Sequence, residues 1–157
     1  MQNVFIIHGA YGDGTENWIP WLKKELEKRG SEVIVPRFPT PEGQSLDSWM
    51  KTFELHRGEL SPDSILVGHS IGVAFILSLL ETAQANASFF VAGFAGSLNH
   101  EIDEINQTFY RAFSWETIRK NCKSFTIFQS DDDPYVPISK ADELARELHS
   151  EVMLVPG

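Results

Sequence analysis

Six short apolar runs set the frame for this chain: Val4–Ile7, Val33–Val35, Ile65–Val67, Phe89–Ala92, Phe125–Phe128 and Val152–Val155. Continuous β-branched and aromatic runs of this length suit strands buried on both faces of a parallel sheet. Helical patterns lie between them. Trp18, Trp21, Leu22 and Leu26 share one helical face, and Gly30 follows as a natural stop. Leu46, Trp49, Met50 and Phe53 repeat the spacing after Ser45, a candidate N-cap. Ala141, Leu144, Ala145 and Leu148 repeat it again, with Ser139 and Asp142 spaced as a capping box. Strand–helix alternation across 157 residues, without a repeat or linker, predicts a single α/β domain of three layers with right-handed crossovers. Pro36–Gly43 reads as a proline-rich loop and Gly96–Cys122 as the one long insertion.

In such a sheet, sites form where strands end at their carboxyl edge. Four loops start there: His8–Gly14, Gly68–Gly72, Gly93–His100 and Gln129–Pro137. The second reads Gly68-His69-Ser70-Ile71-Gly72, between a strand and the helical run Val73–Leu77. That is the setting of a nucleophile elbow, a sharp turn that lifts a serine hydroxyl above the sheet. Three fixed positions recur by chance in roughly 5% of chains this long, so the strand before and the helix after decide the reading. Ser70 is the expected nucleophile. Its oxyanion needs two N–H donors: Ile71 supplies one, and the glycine-rich loop His8-Gly9-Ala10-Tyr11-Gly12 the other, from Ala10 or, failing that, Tyr11.

The loop Ser130-Asp131-Asp132-Asp133-Pro134-Tyr135-Val136-Pro137 offers three carboxylates to orient a catalytic histidine. A divalent-cation site, as in a metal-dependent phosphate hydrolase, would need a second acidic cluster at another strand end, and the sequence shows none. Net charge of −9 argues against nucleic-acid and anionic-membrane partners. The lone Cys122 makes neither an internal disulfide nor a zinc site. No signal peptide or membrane-length apolar run is visible, which points to a cytoplasmic protein.

The elbow, the N-terminal His-Gly loop and the Asp-x-x-Val-Pro string together resemble a small α/β-hydrolase. With the Trp18–Leu26 stretch and Trp115–Cys122, the chain is similar over essentially its whole length to the retinoblastoma-binding-protein-9-like serine hydrolases. The resemblance implies a compact fold without a large lid, sheet order 2-1-3-4-5-6, and hydrolysis of a small-molecule carboxylic ester or amide without a cofactor. It makes Asp133, before Pro134, the triad carboxylate, with Asp132 the fallback. The family's histidine stands in a Gly-His turn after the last strand, where this sequence reads Pro156-Gly157. The expectation is therefore a single domain over residues 1–157 that lacks a C-terminal segment carrying the histidine.

None of the five histidines fills that role from sequence. His69 should point away from its neighbour Ser70. His8 reads as a packed or loop-orienting residue, and His56 and His149 as solvated helix positions. His100 lies on the correct side of the sheet and is the one candidate for a relocated base. The missing base keeps a second reading open, a non-catalytic interaction protein on a hydrolase scaffold. Where the mammalian family member carries Leu-x-Cys-x-Glu, linked to retinoblastoma-protein binding, this chain has Leu55-His56-Arg57-Gly58-Glu59, so such binding is not expected. The aromatics Phe109, Tyr110, Phe113 and Trp115 either line an acyl pocket or pack the insertion onto the body.

Overall fold

In the computed structural model, which describes residues 1–157, the six runs form one parallel sheet in the order β2-β1-β3-β4-β5-β6. The strands are β1 (Asn3–Ile7), β2 (Glu32–Ile34), β3 (Ile65–His69), β4 (Ala85–Val91), β5 (Cys122–Ser130) and β6 (Val152–Val155). Six helices accompany them: α1 (Ile19–Lys28), α2 (Leu46–Glu54), α3 (Ile71–Leu80), α4 (Asp103–Asn106), α5 (Trp115–Asn121) and α6 (Ile138–Leu148). No helix is long and apolar enough to cross a membrane.

Side-chain alternation along β1 divides the interior in two. Phe5 and Ile7 join the larger core, 26 buried residues packed with α2, α3, α5 and α6. Val4 and Ile6 join the smaller one, five buried residues including Ile19 of α1. Helices thus cover both faces. Every residue of α3 is buried, as its apolar composition requires. Gly72 lets this helix start against the end of β1: a Cβ there would stand 2.6 Å from the Ile7 carbonyl oxygen and 2.7 Å from that of His8. Backbone atoms cannot swing aside, so only glycine fits.

Local signals mostly do what their chemistry asks. Ser45 caps α2 by accepting from Ser48 N, and Ser48 reciprocates. The capping box expected at Ser139 and Asp142 is absent, because α6 begins directly after Pro137 and places both residues inside the helix. β4 and β5 run longer than their apolar stretches. Asn86, Ser124 and Thr126 lie within them, and their incomplete burial leaves room for polar side chains. The insertion aromatics take the packing role. Phe109 is fully buried edge-on against Trp49, ring centres 5.0 Å apart, while Phe113 and Trp115 pair away from Ser70 beside Arg111.

Candidate active site

β3 ends at His69 and α3 starts at Ile71, so the chain turns within Ser70, at φ 55° and ψ −126°. An L-residue adopts this conformation only when its surroundings impose it. They do so here: Ser70 N donates to Val91 O at 3.0 Å, and Ser70 O accepts from Val73 N at 3.1 Å. Three other non-glycine residues with positive φ, Tyr11 (62°), Asn17 (55°) and Ala92 (50°), line the same cavity as Ser70. That cavity has a volume of about 620 Å³. The Ser70 hydroxyl lies in its wall with no hydrogen-bond partner in the protein.

The first loop closes over the serine from β1. A Cβ on Gly9 would stand 3.0 Å from the Ser70 Cβ, so glycine permits the backbone to come this close. Tyr11 N is committed to Thr40 Oγ1 at 2.8 Å, whereas Ala10 N has no acceptor. Ile71, as the first residue of α3, has no intrahelical acceptor for its N–H either. Two unengaged donors therefore flank the serine, and they belong to Ala10 and Ile71 rather than Tyr11. Glu16 holds the loop's far end: its Oε2 accepts from Asp13 N at 3.0 Å and Gly14 N at 2.8 Å.

Of the three aspartates after β5, only Asp133 lines the cavity. Its Oδ1 accepts from Tyr135 N at 2.8 Å and Val136 N at 2.9 Å, which leaves Oδ2 without a protein partner. Asp131 and Asp132 are exposed. Asp131 accepts from Gly157 N and Asp132 from Ser130 Oγ.

The histidines divide by place. His8 is fully buried among Phe38 and Trp49. Its Nδ1–H donates to Gly9 O at 2.7 Å and its Nε2 accepts from Phe38 N at 3.0 Å. Burial lowers its pKa, against that hydrogen bond, so it serves as a neutral strut for the first loop. His69 contributes to the cavity wall, nearer the site than its expected outward orientation, but its ring stands edge-on to Trp18 and its Nδ1 is buried without a partner. Burial lowers its pKa too, while the charges of Glu16 and Asp133 work the other way. His56 pairs with Glu59, and His149 is an exposed left-handed cap on α6. His100 lines the cavity beside Tyr135, its Nδ1 accepting from Ile102 N at 3.3 Å.

The insertion also lines the cavity, through Leu98, Ile102 and Ile105 with Glu101 and Glu104. Asp103 knots this segment, a role that only the folded loop reveals. Its Oδ1 accepts from Leu98 N (3.0 Å) and Tyr110 OH (2.6 Å), and its Oδ2 from Ser97 Oγ (2.6 Å) and His100 N (3.4 Å). Burial disfavours the charge, yet these donors outweigh it and hold the carboxyl at about 2, below its ordinary 3.8. A depressed folded value means the knot is fully stabilising above the ordinary value and is lost as pH falls from 3.8 towards 2. Amide-exchange protection at Leu98 and His100 should fall through that window. Protection unchanged down to about pH 2 would contradict the assignment.

A family model described as serine hydrolase matches residues 4–157. The chain is 33% identical over 153 residues to the YdeN protein of Bacillus subtilis, covering 94% of this chain and 79% of that one. It is 30% identical over 148 residues to the serine hydrolase RBBP9 of Rattus norvegicus, covering 92% and 78%. The crystal structure of the ydeN gene product superposes with a TM-score of 0.91 at 31% identity, over 100% of this chain and 86% of that one. Polyneuridine aldehyde esterase, with a TM-score of 0.73 at 13% identity over 98% and 90% of the two chains, shares the fold alone.

Proposed function

The chain belongs to the serine hydrolase family, and on that premise we propose that it cleaves a small carboxylic ester or amide through an acyl-enzyme on Ser70. The observation that carries this reading is the elbow serine: an unengaged hydroxyl in a strained turn, facing a cavity and flanked by two free N–H groups. Ser70 Oγ attacks the acyl carbon as a histidine takes its proton, and the Ala10 and Ile71 amides hold the oxyanion. The bond to the leaving group breaks as the histidine returns that proton. Water then repeats the sequence and frees the acid. Asp133 orients the imidazole through its open Oδ2. The reaction uses no cofactor.

The proposed base is a histidine that meets Ser70 and Asp133 from beside the end of β6. Val155 O accepts from Asp131 N at 3.1 Å, so chain leaving this strand rises beside the Asp131–Asp133 loop. Within residues 1–157 no histidine bridges Ser70 and Asp133, the one observation that favours the non-catalytic reading. Stopped-flow hydrolysis of a p-nitrophenyl ester separates the two. A chain carrying that histidine should release a stoichiometric burst, while residues 1–157 alone should keep only the ~10³–10⁴-fold acceleration that an oxyanion hole and binding supply. Full turnover by residues 1–157 would move the base to His100. No burst from the longer chain would favour the interaction module. Binding of a retinoblastoma-type pocket through Leu55–Glu59 is not part of the proposal, since Arg57 there is paired with Glu54.

A further inference from the structure

We infer that the Ser70 cavity selects substrates bearing a cationic group, with Glu101 and Glu104 as the selecting residues. The inference rests on the hydrolase reading for the reaction, though not for the binding.

Four carboxylates line the cavity, from Glu16, Glu101, Glu104 and Asp133, and no lysine or arginine does. Glu101 and Glu104 are exposed on the insertion wall and make neither an ion pair nor a side-chain hydrogen bond. Glu16 has only two amides on one oxygen, and its other oxygen is shut away from water without a donor. The charges of Glu16 and Asp133 both act on His69 in the cavity wall, so their fields cross this space.

A concave, low-dielectric wall focuses such fields. An anionic substrate would meet repulsion from these carboxylates, while a cation would meet the attraction of Glu101 and Glu104, which no basic side chain among residues 1–157 already satisfies. Two ring faces add to this. Tyr11 and Tyr135 line the same cavity and are 65% and 70% exposed, as needed for a quaternary or protonated amine to lie against them. Ala10, Leu98, Ile102 and Ile105 leave apolar surface for the rest of the substrate. The substrate class is thus an ester or amide joining an apolar part to an ammonium group.

Equilibrium binding to the Ser70→Ala chain tests this without turnover. The probes are butyrylcholine, its neutral isostere with carbon in place of nitrogen, and the anionic monobutyl succinate. At low salt butyrylcholine should bind roughly tenfold more tightly than the isostere, and the anion most weakly. The Glu101→Gln/Glu104→Gln double substitution should cut the cation's advantage to about twofold. Equal binding of cation and isostere, or an advantage untouched by the double substitution, overturns the inference. Cation preference in a protein that hydrolyses no ester would sink the hydrolase reading and leave this one standing. Hydrolysis of both esters without preference would do the reverse.

Discussion

In a chain carrying the proposed histidine, Ser70→Ala should lower kcat/KM for ester hydrolysis by at least about 10⁴-fold, because triad members act as a unit and the nucleophile has no substitute. The melting temperature should stay within about 2 °C of the parent. Both halves follow from the geometry. The Ser70 hydroxyl accepts and donates no hydrogen bond within the protein, so its removal orphans no partner. The φ of 55° is equally strained for serine and alanine, so the backbone term cancels. Kinetics and a thermal melt on the same two proteins check the result. A large drop in stability would make Ser70 a structural residue, and retained turnover would place the nucleophile elsewhere.

In the same histidine-carrying chain, Asp133→Asn should reduce kcat by about 10³–10⁴-fold, since an amide cannot stabilise the imidazolium and favours the wrong histidine tautomer. Asparagine keeps the Oδ1 that accepts from Tyr135 N and Val136 N, so the turn should survive and the loss should be chemical rather than structural. Asp131→Asn and Asp132→Asn should stay within about threefold of the parent, because both side chains are exposed and outside the cavity. Turnover measured for the three variants side by side decides the register. If Asp132→Asn is the damaging change, the triad carboxylate lies one residue earlier than proposed.

Much of this architecture was legible in the sequence because parallel strands buried on both faces are written as unbroken apolar runs. Val4–Ile7 and Ile65–Val67 announce central strands, and the glycines around Ser70 announce the turn between strand and helix. Where a strand carries polar residues the signal fades, as at Asn86 in β4 and Ser124 in β5, and those strands outran their apolar stretches. Ser139 and Asp142 have the spacing of a cap but not its place, because Pro137 starts the helix first. The loop residues that shape the site were hidden for a different reason. Glu16 and Asp103 act through backbone N–H groups that converge only once their loops have folded. Their spacing carries no periodic signal. The electrostatics of the cavity likewise depend on bringing residue 16 and residues 101 and 104 to one cavity, a juxtaposition that no local pattern encodes.

The central claim, that Ser70 is the activated nucleophile of this chain, is tested most directly by peptide mass mapping of the protein after reaction with a fluorophosphonate. In a chain carrying the proposed histidine, one adduct per molecule should form, on the peptide containing Gly68-His69-Ser70-Ile71-Gly72. An adduct on any other serine, or a folded chain with that histidine that takes no label, would contradict it.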